Sequence, residues 1–242
     1  MPDDPKSVNA VRLLHDLQHN AELKHQPVAG AELDPPLALL RAWQSERLAR
    51  TYADLLAEPQ YRPACLFFLS DIYAPRDFSQ RDHDAERIHA FLARVVPAQM
   101  LQLLTETITL NALTSALDRR LVAVLTEQLG VTATLTADQY AEGYRRCDNA
   151  ADRTRQIELL LQVVQQVGEG AHARGVGLAL KVVRGPAHRA GWVAVFDFLE
   201  HGYGAFKQIR DLPKFVDTIA RRERSLLSRI FAGDPDFLTP AG

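Results

Sequence analysis

Cysteine is scarce in this chain. Only Cys65 and Cys147 are present, so a disulfide framework is not indicated, and both residues are expected to act as small apolar groups in a reducing compartment. Apolar runs of the roughly 18 to 20 residues needed to span a bilayer are missing. Neither sign of charge dominates. A formal net charge of -2 argues against a dedicated nucleic-acid binder, because counterion release needs a concentrated basic surface. Aromatics are few, at 7%, and the strict apolar–polar alternation of half-buried strands is almost absent. The start, Met1-Pro2-Asp3-Asp4-Pro5-Lys6, lacks the apolar stretch of a secretory signal. The last residues, Thr239-Pro240-Ala241-Gly242, carry no lipidation signal. A soluble cytoplasmic protein, with no membrane and no nucleic-acid partner, is the expected class.

What is present is helical pattern. The apolar residues are mainly Leu, Ala and Val, and long stretches lack Gly or Pro, so helix is the default. Apolar residues recur at spacings of three and four. Ser7 is expected to open a helix that ends near His25. Asp34 before Pro35 and Pro36 has the form of an N-cap followed by proline in the first turn, and that helix should run to about Ala57. The next helix spans Tyr61 to Tyr73 and is apolar nearly all round, which marks a buried element. Asp77 or Ser79 should cap a successor carrying Ile88, Phe91, Leu92 and Val95. No breaker interrupts the pattern from Pro97 to Leu129, which reads as one long helix or a bent pair. Thr136 to Gln139 reads as a capping box. Asp148 or Asn149 begins a further helix with Ile157, Leu160, Leu161, Val164 and Val167 inside. Glycines at 168, 170, 175 and 177 suggest that it ends in a tight turn or a close backbone contact. Gly185-Pro186 should separate the Leu178 to Val183 segment from a helix holding Trp192, Val195, Phe196 and Leu199. Pro213 opens the last amphipathic helix. At 242 residues and with no linker long enough to divide it, the chain is expected to form one all-α domain over residues 1–242, with about eight to ten helices around the buried Tyr61 to Tyr73 element.

Two constellations carry chemistry. The first is a polar corner at the end of the buried helix: Asp71, Tyr73, Arg76, Asp77 and Arg81. A carboxylate on a buried helix needs a partner. Asp71 is therefore either a general base or polar ligand anchor, with the Tyr73 hydroxyl and Arg76 nearby, or one half of a structural ion pair with an arginine. The second is a double Glu-x-x-His spacing, Glu86 with His89 and Glu169 with His172, as used by helical di-iron and di-manganese sites. Iron or manganese would then be the cofactor of a metal-dependent enzyme. Against it, the helical wheel places Glu86 and His89 at the flank of their apolar face, and Glu169 between two glycines. The basic clusters Arg145-Arg146, Arg153, Arg155 and Arg221-Arg222-Glu223-Arg224 are interspersed with acids and are expected on solvated faces.

Phe67-Phe68-Leu69-Ser70-Asp71-Ile72-Tyr73 resembles the signature of the bacterial FFLEELY-motif proteins. Phe67, Phe68, Leu69 and Tyr73 match it, Asp71 and Ile72 are conservative replacements, and Ser70 stands where the signature has Glu. The resemblance implies neither an activity nor catalytic residues. The leading expectation is a non-catalytic protein that binds a small ligand or a protein partner at the polar corner. The alternative is the metal enzyme, and a third option is a subunit of a homo-oligomer that packs through weakly amphipathic segments such as Leu178 to Val183.

Overall fold

A computed structural model describes residues 34–69, 98–189 and 193–239. Among these the chain forms nine α-helices and no strand, as the all-α reading expects. They are α1 (Pro35–Thr51), α2 (Ala53–Ala57), α3 (Arg62–Phe67), α4 (Ala98–Ala123), α5 (Ala137–Cys147), α6 (Ala150–His172), α7 (Val176–Arg189), α8 (Val193–Phe206) and α9 (Leu212–Phe231).

Local chemistry explains most of the boundaries. Pro35 starts α1, whereas the Asp34 side chain makes no capping bond, so the fixed φ of proline rather than a carboxylate sets the entry. The helix expected to reach Ala57 bends at Tyr52 (φ -111, ψ 22) into α1 and α2. The hydrogen bonds continue across the bend, from Tyr52 N to the Leu48 carbonyl at 3.0 Å and from Leu56 N to the Tyr52 carbonyl at 2.9 Å. The long pattern to Leu129 is one rod that widens into a π-turn over Val124–Gln128. The Thr126 hydroxyl donates to the Val122 carbonyl at 2.9 Å, a side-chain bond that competes with the helical ladder. The capping box holds: Gln139 N donates to Thr136 Oγ1 at 3.2 Å, and Thr136 N to Gln139 Oε1 at 3.1 Å. Asp211 caps α9, accepting from Lys214 N at 3.0 Å.

Two expectations need correction. Helix α6 runs through Gly168 and Gly170 to His172, and the turn comes at Gly175 (φ +88). Gly168 follows the other alternative, close contact, since a Cβ there would overlap the Leu212 side chain. Likewise Gly185-Pro186 does not separate two helices, because α7 continues to Arg189. Pro186 removes only the bond to the Val182 carbonyl, on a stretch where Val182 is 68% exposed.

Helix α6 packs against α4, α7, α8 and α9. Two apolar cores form. The larger gathers Tyr52, Leu55, Leu56, Tyr61, Phe67, Leu161, Val164, Phe206 and Phe215. The smaller gathers Leu40, Leu121, Leu125, Tyr140, Cys147 and Ile230. The expected buried helix holds as far as it is described: Tyr61, Ala64, Cys65, Phe67 and Leu69 are buried, while Leu66 and Phe68 are half-buried. Its continuation through Ser70 to Tyr73, the Ser7 to His25 helix and the helix carrying Ile88 lie outside the described residues. No helix among the described residues is long and apolar enough to cross a membrane.

Candidate functional site: a polar cavity beside an apolar one

The expected site residues divide sharply. Asp71, Tyr73, Arg76, Asp77 and Arg81 lie outside the described residues, as do Glu86 and His89. Glu169 and His172 are described and exposed. Glu169 accepts a hydrogen bond from Gln165 Nε2 at 2.6 Å, and His172 Nδ1 lies 2.8 Å from the Gly168 carbonyl one turn earlier, as a donor. Each is engaged within α6 at the water-facing end of that helix. Among the described residues no group of three or more His, Cys, Asp or Glu side chains converges on a point where a metal could bind.

A different cluster occupies the interior. Helices α1, α4, α5, α6 and α9 enclose a cavity of about 60 Å³. Its wall carries Gln44 and Arg47 from α1, Thr114 and Asp118 from α4, Tyr140 and Tyr144 from α5, Arg153 and Gln156 from α6, and Glu223 from α9. These positions fall on the inward faces by helical period. Arg153 precedes Ile157, Leu160 and Val164 on one stripe of α6; Glu223 sits between Ile219 and Leu227 on α9; Asp118 sits between Thr114 and Leu121 on α4. The solvated face expected for Arg153 and Glu223 is therefore corrected. Arg153 is 3% exposed and Asp118 3%, because the same apolar stripe that buries their neighbours carries them inward.

The hydrogen bonding divides the wall into a neutralised side and an unneutralised one. Arg47 Nη1 donates to Glu223 Oε1 at 2.7 Å, and the Tyr52 hydroxyl donates to the same oxygen at 2.8 Å. Burial opposes the charge on Arg47, and Glu223 more than offsets it, so its pKa rises above the usual arginine value. Burial, then the Glu223 charge, raises the Tyr52 hydroxyl well above its ordinary pKa. Arg153 has no such carboxylate. Its Nη1 donates to the Gln156 amide oxygen at 3.1 Å and its Nη2 to the Leu117 carbonyl at 3.3 Å, both neutral acceptors, and the guanidinium lies 4.3 Å over the Tyr144 ring. Asp118 is reached by Gln44 Nε2 at 3.3 Å. Its pKa is raised by burial, against the lowering influence of Arg153, the Gln44 bond, Arg41 and Arg119. Three buried polar atoms of this wall, Gln44 Oε1, Arg47 Nε and Arg153 Nε, have no hydrogen-bond partner in the protein. Buried groups of this kind are normally satisfied by something.

A second cavity, of about 50 Å³, adjoins the first. Leu48, Tyr52, Leu56, Cys65, Phe68, Leu69, Val164, Phe215 and Ile219 line it, and it shares Leu160 and Glu223 with the polar one. Its chemistry is nearly all apolar. Burial pushes the Cys65 thiol up to about 12, so it stays protonated and a poor nucleophile at neutral pH.

Several arginines of the other basic clusters pair with nearby acids. Arg145 and Arg146 both bond Glu142, and Arg222 forks onto Asp54 at 2.7 and 2.8 Å.

The chain belongs to the family described as Domain of unknown function (DUF8198), whose model matches residues 24–237. No curated protein matches the chain, and no solved structure does.

Proposed function

We propose that this protein is a non-catalytic binder of a small ligand, seated in the polar cavity between α1, α4, α5, α6 and α9. The carrying observation is Arg153, a residue of the cavity wall that is 3% exposed, whose guanidinium is held by neutral acceptors and whose Nε has no hydrogen-bond partner in the protein. A buried cation without a directly bonded carboxylate is costly. A ligand whose acceptor atoms meet the Arg153 and Arg47 guanidiniums offsets that cost. The cavity has room for several water-sized groups, which suits a small polar head rather than a macromolecule. Acid–arginine pairing on the outer surface, at Glu142 and Asp54, supports the view that nucleic acid is not the partner. On this reading the chain is a bacterial cytoplasmic protein folded as one domain over residues 1–242, and the likeness of Phe67-Phe68-Leu69 to the FFLEELY signature supports the bacterial origin.

Titration calorimetry of the purified chain against acetate, phosphate and acetamide tests the proposal. At least one of these solutes binds saturably, and Gln156→Glu weakens the binding of anions at least tenfold. That variant puts a carboxylate onto Arg153 from the position of the amide oxygen while Thr114 can donate to it, so the fold is retained. An absence of saturable binding by all three, with the wild-type chain folded, overturns the proposal.

A further inference from the structure

The two cavities are arranged in the same order along three helices. On α6, Arg153 and Gln156 line the polar cavity, Leu160 lines both, and Val164 lines the apolar one. On α1 the sequence is Gln44 and Arg47, then Leu48 and Tyr52. On α9 it is Ile230 and Leu227, then Glu223 on the shared wall, then Ile219 and Phe215. Arg153 and Val164 are about 16 Å apart along the α6 axis, at 1.5 Å per residue. The wall between the cavities is thin, since only Leu160 and Glu223 belong to both. Glu223 is held on it from both sides, by Arg47 of the polar cavity and Tyr52 of the apolar one.

Charge and solvation specify what fits. In the polar cavity Arg47 and Glu223 neutralise one another at 2.7 Å. Arg153 forms no ion pair with Asp118, and Asp118 is itself buried with a single Gln44 bond at 3.3 Å. The Arg153 guanidinium is therefore left without a directly bonded carboxylate, the charge of Asp118 acting on it without a hydrogen bond between them. The apolar cavity gives its contents almost no hydrogen-bonding partner and accepts apolar groups in place of polar ones.

We infer that the ligand is a monocarboxylate amphiphile, with its carboxylate on Arg153 and Arg47 in the polar cavity and its hydrocarbon tail passing Leu160 into the apolar cavity. This rests on the binding reading above and adds the ligand class and the second cavity. The Arg153 and Arg47 guanidiniums, both on the wall of the polar cavity, supply the donors that a carboxylate accepts. Leu160 is the contact at which head becomes tail. A second acidic group at the far end of the tail would be desolvated in the apolar cavity without a partner, so dicarboxylates are discriminated against.

The test is calorimetry of the full chain with acetate, butyrate, hexanoate, hexan-1-ol and adipate, repeated on Gln156→Glu and on Cys65→Leu, which adds bulk to the apolar cavity alone. The expected result is an affinity that climbs from acetate to hexanoate by up to fourfold per methylene, the equivalent of about 0.8 kcal/mol, with hexanol and adipate at least tenfold weaker than hexanoate. Gln156→Glu lowers every monocarboxylate affinity. Cys65→Leu removes the gain with chain length and leaves acetate unchanged. An affinity flat from acetate to hexanoate on the wild-type chain overturns the inference while leaving a polar-cavity binder standing. Hexanol binding as tightly as hexanoate, unmoved by Gln156→Glu, overturns it by showing the apolar cavity acting alone. Binding of phosphate or acetamide without any monocarboxylate overturns it as well. If no solute binds at all, the binding reading itself falls.

Discussion

The two interiors that meet along α6 solve opposite problems. Around Val164 the wall is made of Leu56, Phe215 and Ile219, and the stability of that region comes from apolar surface removed from water. Around Arg153 the wall is made of Gln44, Asp118 and Tyr144, and burial there works against every charge it contains. A pair such as Arg47 and Glu223, with side chains 10% and 12% exposed, is weak evidence for stability, since an apolar pair of similar volume often does as well. The contrast teaches that one region supports the fold and the other draws on it. Polar groups kept in the second at a cost to stability are where recognition is to be sought.

The largest break in the comparison should come from the apolar side. Phe67 is 5% exposed, with Phe198 at 5.1 Å and Phe206 at 6.3 Å between ring centroids, and Gly202 lies close beneath it. Phe67→Ala is expected to cost about 3 to 5 kcal/mol, read from urea midpoints. Phe68→Ala should cost distinctly less, because Phe68 is half-buried and borders the apolar cavity instead of filling the core. Equal losses would mean that the cavity does not open at Phe68.

Next in size is the ion pair. Arg47→Met leaves Glu223 buried with only the Tyr52 hydroxyl, and should cost about 3 kcal/mol. Adding Glu223→Gln removes the stranded charge and keeps an acceptor for Tyr52, so the double variant should recover most of the loss. A double variant no more stable than Arg47→Met alone would show that the arginine acts through packing instead of charge.

The fold was legible where local chemistry decides it. The Thr136 capping box, the proline starts of α1 and α9 and the unbroken α4 all follow from signals that act within a turn or two. Gly185-Pro186 does not stop α7, because the proline removes a single helical bond, and the close contact at Gly168 has a partner, Leu212, that lies far along the chain. The polar cavity was present in the sequence but in a different signal from the one sought. Clustering of charged residues along the chain points to Asp71 and to the Glu-x-x-His pairs. The informative sign was a lone charge on an apolar stripe: Asp118 before Leu121, Arg153 before Ile157 and Glu223 after Ile219. What no single helix carries is that these stripes meet, and that meeting makes the cavity.

The smallest effect, and the most specific to the polar interior, is its pH dependence. Burial raises the Asp118 carboxyl above its ordinary pKa, so the folded chain holds that proton more tightly than the unfolded chain does. The stabilisation from this group is complete below the unfolded value of about 3.9 and is lost as pH rises through the folded value. Asp54, Glu142 and Asp234 run the other way. Their arginine partners lower their pKa values, and the stability they give is present above the unfolded value and lost as pH falls through the folded one. Asp118→Asn removes only the first contribution. Its melting temperature should therefore match the wild type near pH 3.5 and exceed it by a margin that grows towards pH 7, read by scanning calorimetry across that range. A constant difference at every pH would mean that Asp118 carries its charge in the folded chain as readily as in water. Arg153 would then already have its counterion, and the polar cavity would have no charge left to match.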